Sequence, residues 1–144
     1  MLALVMTQPV KTISELNLND EHITVGVDDT LKEGAKRLLS VPGGVLIVLD
    51  DESRVKGVMG YKQFLHAIDQ GMDTNSVKCR ELMEMDFMEV KDSDNLKDVL
   101  KSIKKRSPQA VVSVDENGEF SGYFSPSDYK ESRAIVKSLK SLKL

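Results

Sequence analysis

The sequence predicts an α+β fold: two β-α-β-β-α repeats packed on each other with pseudo-two-fold symmetry. Three observations predict it. "VGVDDTLKEGAKRLL" (25–39) resembles "VKDSDNLKDVLKSIK" (90–104), and "VLIVLDDESRVKGVMGYKQF" (45–64) aligns with "AVVSVDENGEFSGYFSPSDY" (110–129), at a constant offset of 65 residues. Strand-type apolar runs and helically spaced apolar positions follow in the same order in both copies. A unit of roughly 60 residues buries too little apolar surface to stand well alone, so the copies should cover each other.

The elements justify themselves in order. Upstream, "VKTISEL" (10–16) echoes "VKCREL" (77–82) with a one-residue slip. "ITVGV" (23–27) and "FMEV" (87–90) have the residue types of short strands. Thr30 and Glu33 form a T-x-x-E capping box ahead of Leu31, Ala35, Leu38 and Leu39 at helical spacing. In the second copy Asn95 takes the cap position, Asp98 stands three residues on, and Val99, Leu100 and Ile103 follow. "GGVLIVLD" (43–50) and "QAVVSVD" (109–115) read as buried strands. "DESR" (51–54) and "ENGE" (116–119) turn the chain back into "VKGVMG" and "FSGYF", the second arms of hairpins. A last helix starts near Tyr61 and near Pro126. "DQGMDTNS" (69–76) is a polar, turn-rich joint. The expected division is an N-terminal segment (1–9), a first repeat (10–70), a joint (71–76) and a second repeat with its C-terminal helix (77–144).

Composition narrows the function classes. The chain has 144 residues, 40% apolar and 30% charged, with a net charge of −3, which fits a folded domain and argues against general nucleic-acid binding. The single cysteine, Cys79, cannot form an internal disulfide, so a cytoplasmic location is expected. No apolar run approaches the roughly 20 residues that span a bilayer. The opening "MLALVM" is short and lacks a basic flank, so it is expected to pack on something, such as a dimer contact.

The duplicated order resembles a tandem pair of CBS domains, the cystathionine-beta-synthase type repeat, over about Val10 to Val136. The matching parts are the D-D-T-L and D-N-L helix starts, the apolar strands ending in Asp50 and Asp115, and the glycine before the last helix. The resemblance implies a regulatory module, not an enzyme. It would bind an adenosine-containing ligand (AMP, ADP, ATP or S-adenosylmethionine) between repeats, dimerise, and act through a separate effector protein. It implies no catalytic cofactor. The family's ligand signature, Gly-h-h-Ser/Thr-x-x-Asp with h apolar, is met in full by Gly122, Tyr123, Phe124, Ser125, Pro126, Ser127 and Asp128. The first repeat has Gly57, Val58, Met59, Gly60, Tyr61, Lys62 and Gln63 there, so its hydroxyl and carboxylate are missing. The resemblance also places the adenine against the sister repeat. For Asp128 that means the stretch near Ile23 and Gly43, and for the degenerate first-repeat site the positions near Met88 and Pro108.

The residues of "SPSD" carry two physical readings. Ser125 suits an N-cap, Pro126 the first helical position and Asp128 the third, which makes a capped helix start with no ligand. Equally, a carboxylate accepts two hydrogen bonds, which suits a ribose diol, while the hydroxyls of Ser125 and Ser127 and the free amides of a helix N-terminus suit a phosphate. Arg133, about one turn further, is a phosphate candidate. Gly43 and Gly44 allow close backbone approach, or simply make a loop. An uncharged Gln63 is a poor substitute for the carboxylate, and Gly60 offers no hydroxyl.

Other residues give weaker signals. His22 and His66 are isolated, as a packing or surface histidine is. Cys79 lies between Lys78 and Arg80, which raises the expectation of a slightly lowered thiol pKa, but no base or second cysteine stands at catalytic spacing. Met83, Met85 and Met88 read as core filling or a plastic contact surface. The C-terminal helix carries Tyr129, Ile135, Val136, Leu139 and Leu142 on one side, an expected dimer stripe, beside Lys130, Arg133, Lys137, Lys140 and Lys143. The competing function is a structural interaction module whose clefts stay empty.

Overall fold

The structure, a computed structural model, describes residues 11–18, 21–41 and 43–142. The first repeat is β1 (His22–Gly26), α1 (Leu31–Leu39), β2 (Val45–Leu49), β3 (Val55–Met59) and α2 (Tyr61–Asp69). The second is β4 (Phe87–Lys91), α3 (Leu96–Arg106), β5 (Ala110–Val114), β6 (Phe120–Phe124) and α4 (Pro126–Leu142). Two three-stranded sheets result, ordered β1-β2-β3 and β4-β5-β6. In each, the first pair is parallel across a helix and the second is an antiparallel hairpin. The predicted α+β duplication is the observed architecture.

Period-2 alternation explains the layers. Leu46 and Val48 join Val25, Leu31, Leu38 and Met59 in the core under α1 and α2. Ile47, between them, faces the other way and meets Val112, with Val55 and Val58, in a core shared by both sheets. All three β2 residues are fully buried, which is why the run reads as continuously apolar. In β5, Val111 and Val112 repeat the pattern, whereas Ser113 replaces Val48. Its buried hydroxyl is satisfied by Ser121 Oγ at 3.0 Å and the Gly122 carbonyl at 3.3 Å.

The caps follow the sequence with one difference. Thr30 Oγ1 accepts from the Glu33 amide at 3.3 Å, and Asn95 Oδ1 accepts from the Asp98 amide at 3.2 Å. Glu33 does not reach back to Thr30. Its carboxylate pairs forward with Arg37 Nε at 3.0 Å, and Arg37 also donates to the Thr24 carbonyl at 2.9 Å. The i,i+4 partner on the same helix face wins over the cap.

The repeats exchange their leading segments. Residues 11–18 lie on the second repeat: Ile13 N donates to the Asp94 carbonyl at 3.1 Å, Ser14 N to Asp92 at 2.8 Å, and Leu96 N to Lys11 at 2.8 Å. Ile13 is 1% exposed within the second core, beside Val90, Leu96 and Phe124. Reciprocally, residues 77–84 lie on the first repeat. Leu31 N donates to the Val77 carbonyl at 2.9 Å, and the Val58 and Glu84 backbones exchange bonds of 2.8 and 2.9 Å.

This exchange explains the paired glycines in the middle of the second hairpin arms, β3 and β6. A Cβ on Gly57 would stand 2.6–2.8 Å from Cγ, Sδ and Cβ of Met83, and one on Gly122 would stand 2.9 Å from Ser113 Oγ and 3.0 Å from Leu18 Cβ. Each glycine is the seat of a side chain from an exchanged segment. The opening segment 1–9, expected to pack at a contact, lies outside the described residues, as do the side chains of Leu139 and Leu142.

Candidate functional site

The start of α4 is held by its own side chains. Ser125 Oγ accepts from the Asp128 amide at 3.0 Å, while Asp128 Oδ2 accepts from both the amide and the hydroxyl of Ser125, each at 3.0 Å. The Tyr129 amide closes the first α-helical bond onto the Ser125 carbonyl at 3.0 Å. Both residues are buried. The reciprocal arrangement satisfies the Asp128 amide, one of the donors that a helix start leaves open, and the carboxylate sits at the positive end of the helix. In the first repeat the Gly60 amide donates to Gln63 Oε1 at 2.8 Å, so Gln63 performs the same local bond without a charge.

A cavity of about 340 Å³ opens beside this turn, lined by Glu21, Gly43, Tyr123, Ser125, Pro126 and Ser127. It therefore brings Gly43 of one repeat together with Ser125 and Ser127 of the other. The neighbouring glycines have different reasons to be there. Gly43 has φ +77° with open space around it, so its role is conformational. Gly44 has the close approach: a Cβ there would stand 2.7 Å from the Glu21 carbonyl oxygen.

Other predicted residues fall elsewhere. Ile23 packs against the first core. Met88 is buried in the second core, and Pro108 is half-buried in the loop before β5. Asp128 is buried and is not among the residues that line the cavity. Arg133 sits in a separate groove between α3 and α4, its guanidinium 5.7 Å from the centre of the Tyr129 ring.

One lining residue, Glu21, escapes sequence reasoning, and Tyr123 enters it only as an apolar position of the signature. Glu21 precedes β1 and belongs to no motif. Tyr123 does have a signal: it neighbours Phe124 in a strand, so the two rings must face opposite sides. Phe124 enters the second core, whereas Tyr123 faces the shared side and lies 6.2 Å from the His22 ring. His22 is thus a packing histidine, edge-on to Phe120 at 5.5 Å.

The thiol expectation is reversed. Cys79 is fully buried in the first core, its Sγ donating to the Thr30 carbonyl at 3.7 Å. Burial, then the nearby Asp29 carboxylate, push the thiol up to about 11. Lys78 and Arg80 are exposed, and Arg80 pairs with Asp28 at 2.7 Å.

A duplicated β-α-β-β-α unit whose copies complete each other's cores defines a paired-repeat architecture, and proteins of known structure share it. Residues 79–134 match the CBS domain family model, and the chain as a whole has the fold of a tandem CBS domain pair. A CBS domain protein from Pyrobaculum aerophilum complexed with AMP is similar with 22% identity and TM-score 0.71, over 92% of this chain and 99% of that one. A CBS domain pair/ACT domain protein from Thermotoga maritima shows 21% identity and TM-score 0.66, over 90% and 99%. The CBS domain of a membrane protein from Sphaerobacter thermophilus shows 16% identity and TM-score 0.69, over 90% and 91%. No curated protein matches the sequence significantly. Among the described residues no helix is long and apolar enough to cross a membrane.

Proposed function

We propose that this chain is a cytoplasmic regulatory sensor, not an enzyme. It would hold an adenosine-containing ligand (AMP, ADP, ATP or S-adenosylmethionine type) between its repeats and pass its occupancy to a partner protein. One observation carries the reading: Gly43 of the first repeat and the hydroxyl-rich start of α4 line one cavity of about 340 Å³. Ligand pockets commonly span roughly 300–1,000 Å³, so a nucleoside fits. The Ser127 hydroxyl and the helix N-terminus suit a phosphate, and the Glu21 carboxylate suits a ribose diol. The AMP-complexed relative from Pyrobaculum aerophilum supports the ligand class. Asp128 acts at the base of this site, and the degenerate Gly60–Gln63 turn leaves the first repeat without an equivalent. Titration calorimetry with AMP, ATP and S-adenosylmethionine is expected to show one tight site per chain for at least one of them. Two equal tight sites, or no binding of any of the three, would overturn the reading, and no binding would favour a structural module with empty clefts.

The same reading includes a homodimer. Tyr61, Leu65 and Ile68 recur at i, i+4 and i+7 on α2 and are 46%, 64% and 71% exposed. Such a stripe marks a contact surface. Ile135 and Val136, the contact expected from sequence, are already half-buried. Antiparallel pairing of two α2 stripes across a two-fold axis would bring Lys62 of one copy toward Asp69 of the other. Light scattering is expected to report a dimer at micromolar concentration and a monomer for Leu65→Glu. A wild-type monomer would count against it.

A further inference from the structure

The first repeat ties down the open edge of its sheet with an arginine. Arg37 on α1 donates from Nη1 to the Thr24 carbonyl of β1 at 2.9 Å and from Nε to the Glu33 carboxylate at 3.0 Å, a fork that spans strand edge and helix. The second repeat keeps the acceptors and lacks the donor. Glu89, Asp98 and Ser102 stand 65 places after Thr24, Glu33 and Arg37. The backbone register is the same: Thr24 pairs with Ile47, and Glu89 with Val112. The next amide on each edge also matches, Gly26 donating to Asp29 and Lys91 to Asp94, both at 2.8 Å. The Glu89 carbonyl therefore faces outward as the Thr24 carbonyl does. In place of the arginine, Ser102 leaves a cavity of about 310 Å³, lined also by Glu89, Asp94, Asn95 and Asp98. Asp98 and Ser102 are exposed, and no described cation pairs with Glu89, Asp94 or Asp98.

We infer that this cavity between β4 and the start of α3 binds a guanidinium group, which completes the second repeat as Arg37 completes the first. The acids by themselves would select no occupant. The first repeat selects it, because there the corresponding carboxylate and carbonyl already hold a guanidinium. A planar fork of five donors can meet the Asp98 carboxylate and the Glu89 carbonyl together, whereas an ammonium is a single point of charge. Arg106, the arginine at the end of α3, is committed elsewhere: it donates to the Phe87 carbonyl at 3.0 Å. Among the described residues no group is arranged to hold a metal ion. The site shares no residue with the cavity at the start of α4, so it is an input separate from the nucleotide. The guanidinium belongs either to a free small molecule or to an arginine of another chain, and the exposed lining gives both a way in.

Two probes separate the sources: agmatine for a free guanidinium, and a blocked Gly-Arg-Gly peptide for an arginine within a chain. Amide chemical shifts, followed in physiological salt, are expected to move saturably at Glu89, Asp98 and Ser102 with at least one probe, and the tighter probe names the source. Putrescine and blocked Gly-Lys-Gly, which carry an ammonium instead, should bind at least about threefold more weakly, since neither presents a fork. Ser102→Arg supplies the fork from the chain itself and should weaken the probe at least about tenfold, with the melting temperature held or raised. Ser93→Arg adds the same charge outside the lining and should leave binding unchanged. Asp98→Asn, which removes the carboxylate and keeps its size, should weaken the probe. No saturable shift with either probe, equal binding of the ammonium compounds, or an equal loss in Ser93→Arg and Ser102→Arg would each overturn the site. Nucleotide affinity measured on the same variants should not change, so failure here is told apart from failure of the sensor reading.

Discussion

Asp128→Asn is expected to weaken adenine-nucleotide binding at least about tenfold, or about 1.4 kcal/mol, and to lower the melting temperature. The carboxylate accepts from the amide and the hydroxyl of Ser125, both at 3.0 Å, in a buried turn. Hydrogen bonds to a charged group are worth roughly 1.5–3 kcal/mol each, so losing the charge loosens Ser125 and the turn that presents Ser127. Asn keeps the size and one acceptor, which limits the damage to the charge. Ser127→Ala supplies the contrast. Its hydroxyl is exposed at the cavity and has no capping role, so binding should fall while the melting temperature holds. Nucleotide titration and thermal melting of both variants decide the matter. If Asp128→Asn melts earlier but binds like the wild type, the carboxylate is a capping group only.

Ile13→Ala is expected to destabilise the protein by about 2–5 kcal/mol, the range for truncating a buried aliphatic side chain to alanine. Ile13 is 1% exposed, yet its contacts are with Val90, Leu96 and Phe124, far along the chain. Its loss leaves a void in the second core while the first core keeps all its side chains. Ile13→Val should cost only about 0.5–1.5 kcal/mol. Urea unfolding gives the total, and hydrogen exchange should show protection lost first in β4, α3 and β5. A loss under about 1 kcal/mol for the alanine variant would mean that residues 11–18 are not part of the second core.

Much of this fold is local chemistry, and that part was legible in the sequence. Strand alternation in "VLIVL", the caps at Thr30 and Asn95 and the proline start of α4 depend on residues within a turn of one another. The repeat multiplied each weak signal by two. Asp50 and Asp115 show the same economy: each receives two backbone amides of its own turn, from Glu52 and Arg54 and from Asn117 and Glu119. For Asp50, chiefly the Arg54 amide holds the carboxyl below its ordinary range.

What only the tertiary structure decided are relations between distant residues. The exchange of segments 11–18 and 77–84 leaves no periodic trace, because a short apolar stretch can cover either core equally well by pattern. Glu21 reaches the cavity beside Ser127 because two sheets pack face to face, and Arg133 is carried into another groove by the turn of α4. The pKa of Cys79 depends on the depth of a core, which its basic sequence neighbours do not report. Sequence by itself determined the elements, their order and the turn at "SPSD"; packing decided which of those residues meet, since contact across a fold is set by the summed burial of both repeats and not by the spacing within either.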